Sequence, residues 1–503
     1  MAQYPEARGS HPRKKPRIDL PLSLRGLQQV FSHSADFQTR RVRVLGDGER
    51  TVTVCYLLGV VRTERLNDYV LRPLAQDGVL AGCGDGEALA RLLEQGVLYA
   101  ADVKRSHSMD TVARALVDGA CALFLPGWDG ALVVPIPTEE KRAVGQPENE
   151  PALKGARDSF VETLRTNTAM VRRHLRAPEL RVESHLVGRQ SLTAVDIVYL
   201  DGIGDPEVVR RVRKRLREMD VDGVESAGDL EEYLVDPMTT AFPLIFSTQR
   251  PDRFCRGLLD GRVGVLCEGL PMGWLTPGTA ELFFQTGQDR AYHWLAASFF
   301  SLLRYLCAGV TVVLPGLYIA LVTFHPEAIP VKLAWSIAAA KQEVPFSTAL
   351  EVLLMLLAFE VIQEAGLRLP GPIGATVSIL GGLVVGNAAV QARIVSPAVL
   401  IAVAAAGVAG YTVPSQDLSN ALRLWRFLLT LLAGVGGLYA LVLGSGVLVL
   451  HLGRLESFGV PWLAHFTAGA GHRRGSPSLV RLPLPWLKWR SSTGAAWNRR
   501  NQR

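Results

Sequence analysis

Hydrophobic positions change their spacing along this chain, and the change divides it in two. Up to about residue 298 they come in short alternating runs. VTVCYLLGV (Val52–Val60) and VDIVYLDGI (Val195–Ile203) each alternate and then end at a glycine, which predicts two β-strands closed by turns. PEVVRRVRKRL (Pro206–Leu216) instead has a helical period and a heavily basic outer face. Beyond residue 299 the apolar residues run together. No charge interrupts Tyr305 to Phe324, Gly371 to Ala392, Ile394 to Gln416 or Phe427 to Leu450. Crossing a bilayer takes about 20 residues, so these runs predict spans near 303–324, 372–392, 394–414 and 424–451.

The first part contains a repeat. DTVARALVDGACALFLPGWDGALVVP (Asp110–Pro135) aligns without gaps on DRFCRGLLDGRVGVLCEGLPMGWLTP (Asp252–Pro277), and Asp118-Gly119 falls on Asp260-Gly261. Each copy reads as a strand, helical segments, a short helix closed by Asp-Gly and a strand-turn-strand hairpin. The fold class expected is therefore an α/β cytosolic region built from two repeated subdomains, followed by an α-helical multi-pass transmembrane domain. The division that follows is a basic, disordered N-terminal tail (1–24), subdomain 1 (25–136), a charged, Pro-bearing linker (137–157), subdomain 2 (158–298), the transmembrane domain (299–455) and a basic tail (456–503). Asp118 and Asp260 resemble a carboxylate pair, but Asp before Gly at a helix-to-strand junction is ordinary turn chemistry.

Between the first two spans the pattern is mixed. Residues 331–368 contain HPEAIP-flanked and Pro-bounded helices and suit an amphipathic or re-entrant segment. Glu360, Glu364 and Arg368 follow one another at four-residue intervals, with Glu351 about half a turn away. Acids at bilayer depth are costly and mark water-filled paths or paired partners, so Glu351, Glu360 and Glu364 are pore-lining candidates. An i,i+4 pair of Glu364 with Arg368 at the membrane surface is the plainer alternative. Asn387 and Gln391, four apart in the next span, either line the same path or hydrogen-bond between helices. Gly382 and Gly386 form the small-residue pattern that lets helices approach closely.

Composition agrees. Of 503 residues 48% are hydrophobic, and the formal charge is +7. The first 20 residues lack the apolar stretch of a signal peptide. The region after Leu452 is basic (GHRR, LKWR, NRRNQR), as expected of cytoplasmic ends. Both termini are thus expected inside, after an even number of crossings. The positive charge needs no nucleic acid, since basic segments beside an anionic leaflet account for it. RDSFVETLRTNTAMVRRHLRAPELR (Arg157–Arg181) reads as a basic helix whose Arg165, Arg172 and Arg173 are candidates for contact with lipid or a partner subunit. The six cysteines form no C-x-x-C and read as small buried hydrophobes. No P-loop, dinucleotide fingerprint, nucleophile elbow or metal-binding histidine pair occurs, so neither enzyme chemistry nor a cofactor is expected.

SFVETLRTN, TQRPDRFCRGLLDGRVGVL, LPGLYIALVTFHPEAIP, EVLLMLLAFEVIQEAGLRLP, IGATVSILGGLVVGNAAVQARIVSP and ESFGVPWL resemble, in order and spacing, the GerA family of spore germination proteins. The resemblance covers roughly residues 25–466. Gln249, Ser347, Asn387 and Trp462 depart mildly from the family pattern. The resemblance implies an A-type subunit of a nutrient germinant receptor in the spore inner membrane, acting with a transporter-like B-type subunit and a C-type lipoprotein. It further implies a homo-oligomer in the lipid bilayer that encloses a nutrient-gated cation path. A SpoVAF-type amplifying subunit shares the architecture and stays open as an alternative, as does a non-conducting scaffold.

Overall fold

The computed structural model describes residues 18, 20–44, 50–80, 85–100, 102–138, 150, 154–235, 240–368, 384–467 and 480–486. Most of the N-terminal tail, the linker, the C-terminal tail and the span expected at 372–392, including Gly382, lies outside the described residues.

The first α/β unit holds a five-stranded antiparallel sheet, β1 (Phe37–Arg43), β2 (Thr51–Leu57), β3 (Lys104–Ser106), β4 (Ala120–Phe124) and β5 (Ala131–Pro135), in the order β1-β2-β4-β5-β3. The second holds β6 (Leu180–Val187), β7 (Thr193–Leu200), β8 (Phe246–Thr248), β9 (Val263–Cys267) and β10 (Gly273–Thr276), in the order β6-β7-β9-β10-β8. Strand for strand, the two orders are the same. Backbone geometry repeats as well. Gly119 and Gly261, after the aspartates, have φ of 95° and 93°, a region where a side chain is strained.

Alternation along each strand sends side chains to opposite faces, and both faces of each sheet are covered. In the first unit Val54, Leu123 and Leu132 face the helical turns of residues 63–97, while Cys55, Ala122 and Val133 face α1 (Leu24–Val30) and α2 (Met109–Val117). In the second, Ile197 and Val265 face α4 (Pro206–Glu218) and α5 (Ala227–Leu234), while Val198 and Leu266 face α3 (Leu164–His174) and α6 (Pro251–Leu259). The five described cysteines are free thiols and four are buried. Burial pushes the Cys55 and Cys121 thiols up to about 12, which leaves them un-ionised and chemically inert.

A helical bundle follows: α7 (Trp294–Ile319, continued by a wider turn to Phe324), α8 (Val331–Lys341), α9 (Thr348–Arg368), α10 (residues 384–391), α11 (Pro397–Gly410) and α12 (Gln416–Arg454). Two of these helices, Trp294–Phe324 and Gln416–Arg454, are long and apolar enough to cross a membrane. α11, where a span was expected at 394–414, has 14 helical residues.

The run expected to cross once at 424–451 is bent back on itself. Gly436 and Gly437 leave helical geometry, with Gly437 at φ 56° and ψ −141°. The rings of Trp425 and His451 lie 5.8 Å apart, whereas 26 residues of straight helix would separate them by about 39 Å. α12 is therefore a hairpin of two antiparallel arms. Hydropathy missed it because no charge interrupts the run from Phe427 to Leu450 and the turn within it consists of two glycines. Phe324 packs on Gly437, so the end of α7 meets the hairpin tip. At the other end the bundle meets subdomain 2. Arg304 on α7 pairs with Asp289 at 2.6 and 2.7 Å, His451 lies 2.9 Å from the Thr240 hydroxyl, and Trp462 Nε1 donates to Pro243 O at 2.9 Å. The chain leaves subdomain 2 by α7 and returns to it after α12.

Candidate functional site

α9 forms because Thr348–Arg368 is rich in Leu and Ala and free of proline. Its bounds lie inside the segment expected to be amphipathic or re-entrant, but it packs within the bundle. Val352, Met355 and Leu356 are buried against Ile319 of α7 and Val399 and Val403 of α11. Its N-terminal end lies at the hairpin tip, where Ala349 meets Gly434.

Each acid of α9 has a distinct setting. Glu351 is fully buried and its Oε2 accepts from the Ser396 N–H at 2.8 Å. A carboxylate there faces the positive end of α11. Two and a half turns later Glu360 is ion-paired with Arg426 and lies 3.6 Å from Arg423, both on the first arm of α12. Arg426 is buried, and its carbonyl accepts from Thr430 Oγ1 at 2.7 Å. Beside this group, Gln363 Nε2 donates to Tyr411 Oη at 2.5 Å. Glu364 is exposed. So Glu351 and Glu360 are held inside the single chain, and of the three acids expected to line a path only Glu364 stands on an outer face.

Two arginines against one carboxylate leave this layer one positive charge in excess. Glu351 Oε1, Gln363 Oε1 and Arg426 Nε are buried and find no hydrogen-bond partner among the described residues. Buried polar atoms left unpaired are costly, and structures normally resolve them with water or another group.

The opposite face of α9 is apolar and uncovered. Leu350, Leu354, Leu357 and Val361 repeat at helical spacing, and Leu357 and Val361 are 56% and 61% exposed. Asn387 and Gln391 on α10 are exposed too. Gly386 is buried against Leu400 of α11, where an added Cβ would come within 3.1 Å.

The basic helix α3 differs from its expected role. Arg165 is exposed and Arg173 half-buried, but Arg172 is 0% exposed. Its Nε and Nη2 donate to Asp36 at 2.7 and 2.9 Å, across the boundary between the two α/β units. The same boundary carries backbone bonds from Ala35 N to Val182 O at 2.8 Å and from Val182 N to His33 O at 3.2 Å. Arg172 therefore joins the halves of one chain and is not available for a lipid or a second subunit.

At the junction with the bundle, Trp274 Nε1 donates to Glu231 at 2.7 Å. Burial pushes the Glu231 carboxyl up to about 7. The Trp274 N–H opposes the rise and the charge of Asp417, at the start of α12, adds to it.

Arg423 and Arg426 are absent from the sequence-level candidates. Their signal was present, two arginines three residues apart where an apolar run begins, but nothing local connects them to Glu360, which precedes Arg426 by 66 residues.

Residues 25–493 match the profile of the Bacillus/Clostridium GerA spore germination protein family. The chain belongs to the GerA family. Among its relatives in Bacillus subtilis (strain 168), spore germination protein KA is 35% identical over 86% of this chain and 78% of its own length. Spore germination protein B1 is 32% identical over 94% of this chain and 96% of its own. The uncharacterized membrane protein YfkQ is 36% identical over 86% and 83%. A crystal structure of the N-terminal domain of the A subunit of the Bacillus megaterium spore germinant receptor GerK3 is 29% identical, covers 50% of this chain and 92% of that one, and superposes with a TM-score of 0.41. This GerA family member joins an N-terminal α/β region to a C-terminal helical part with two long apolar stretches, Trp294–Phe324 and Gln416–Arg454, the second folded back on itself.

Proposed function

We propose that the protein is the A-type subunit of a nutrient germinant receptor, that copies of it form a ring in the spore inner membrane, and that the ring encloses an ion path opened by nutrient. B-type and C-type subunits complete the receptor. Both termini lie on the cytosolic side, which agrees with a chain that leaves subdomain 2 by α7 and returns to it after α12.

The observation that carries this reading is the uncovered stripe Leu350, Leu354, Leu357 and Val361, ending at Glu364. Copies arranged about an axis with this face inward form an apolar constriction, a type of gate that closes by dewetting, with an acidic mouth at Glu364. Asn387 and Gln391, exposed on α10, are polar groups that can line the path beside it. Unpaired Gln363 Oε1 and Arg426 Nε agree with water reaching the bundle behind that wall.

Full-length protein reconstituted in liposomes tests it. Cation leakage is expected, and Leu357→Asn, which wets the constriction, should raise basal leakage, whereas Glu364→Gln should lower it. Leakage that neither substitution alters removes α9 from the path. Stable oligomers that never leak leave the protein a scaffold that relays a signal to another subunit.

A further inference from the structure

α4 turns Val208, Val209, Val212 and Leu216 into the core of subdomain 2 and leaves Arg210, Arg211, Lys214 and Arg217 exposed. Arg213 is committed inward, donating to both oxygens of Glu183 at 2.8 and 2.9 Å. Glu207 pairs with Arg210 at 2.5 Å and Glu218 with Lys214 at 3.6 Å. Arg211 and Arg217 have no acidic partner among the described residues.

The place of this helix matters as much as its charge. After Arg454 ends α12, β11 (Glu456–Ser457) and β12 (Val460–Pro461) form a tight hairpin. Its tip residue Phe458 packs into the core under α4. The Arg211 guanidinium lies against Gly459, and at φ 82° that glycine has no Cβ to displace it. Five residues of chain reach at most about 17 Å, so Gly459, which the Arg211 guanidinium touches, stands within that distance of the end of α12. Headgroups extend roughly 5–8 Å beyond the hydrocarbon on each side. Of the exposed acids nearby, Glu232 is carried on the neighbouring helix α5 and Glu225 stands just before it.

We infer that α4 docks on anionic phospholipid headgroups of the leaflet facing subdomain 2, through Arg211, Lys214 and Arg217, and so holds the soluble half down against the bilayer. The inference rests on the membrane placement proposed above. It assigns to α4 the lipid contact that the sequence suggested for α3, whose Arg172 is used within the chain.

The test uses the full chain in nanodiscs of phosphatidylcholine alone or with a third phosphatidylglycerol, footprinted with an arginine-specific and an amine-specific reagent and read by mass spectrometry. Each basic group near an anionic surface contributes a factor of roughly five in occupancy. Arg211, Lys214 and Arg217 are therefore expected to react severalfold more slowly in the anionic discs, and the difference should disappear in high salt. Arg40 and Arg41, exposed on β1, should react alike in both. The double variant Arg211→Glu, Arg217→Glu should make Lys214 insensitive to lipid charge. Equal reactivity of the wild-type helix in both discs overturns the inference, as does protection that appears only when another protein is added. A failure of the membrane placement itself would show separately, as chain missing from the disc fraction.

Discussion

Replacing Glu360 by Gln removes the one carboxylate facing two guanidiniums. The Arg426 side chain is 5% exposed and the Glu360 side chain 23%, so the pair is largely shielded from solvent. Breaking such a pair from one side leaves a buried charge uncompensated and costs about 3–5 kcal/mol. Arg426→Met is a different perturbation, because Glu360 then keeps Arg423 at 3.6 Å. Its cost should be about 1–3 kcal/mol, that of a lost charge-assisted hydrogen bond. Combining the two should recover part of what Glu360→Gln alone loses, since the buried cation is gone. The assay is unfolding of the full chain in detergent, followed by fluorescence and far-UV dichroism for the three variants. If Arg426→Met proves more damaging than Glu360→Gln, or if Glu360→Gln changes stability by less than 1 kcal/mol, the assignment of Glu360 as the internal counter-ion is wrong.

Other consequences are as direct. Gly437→Ala should destabilise by at least 1–3 kcal/mol from backbone strain alone, and a Cβ there would lie 2.7 Å from Phe324 Cγ. Trimming Phe324 to Ala should recover only the clash, which thermal unfolding of single and double variants would separate. Arg172→Met should cost about 3–5 kcal/mol and speed tryptic cleavage between the two α/β units, and Arg172→Lys should not restore the two-pronged contact with Asp36. Slow cleavage in both variants would refute this. Glu231 has a folded value of about 7 against 4.5 when free. The folded state therefore holds the proton more tightly, and stability should fall as pH rises from 4.5 to 7, by at most about 3 kcal/mol. Glu231→Gln should flatten that part of the profile, and an unchanged slope would show that Glu231 does not cause it.

What the sequence disclosed was the periodic and the local. Alternation in VTVCYLLGV and VDIVYLDGI corresponds to β2 and β7, and the Asp-Gly pairs stand where a helix turns into a strand. Contacts between distant residues left no periodic trace. Arg172 looks like one more cation on a basic helix until Asp36, 136 residues away, is placed beside it. Glu351 reads as a misplaced acid because the N–H it accepts belongs to Ser396, on another helix. The hairpin in α12 escaped for a different reason. Mean hydropathy does not sense direction, and only the dipeptide Gly436-Gly437 distinguishes two arms from one span.

Because the α12 hairpin reverses within two glycines, its tip presents no loop. On the side of the bundle remote from subdomain 2, the described chain that stands free is chiefly α8 with its flanking turns and the short joint around Arg393, which pairs with Glu343 at 3.1 Å. Among the described residues, a protease acting from that side would meet few basic cleavage points, Lys332, Lys341 and Arg393. A molecule that recognises this subunit from there has, among the described residues, a few helical turns to grasp, with the exposed indole of Trp335 near their centre.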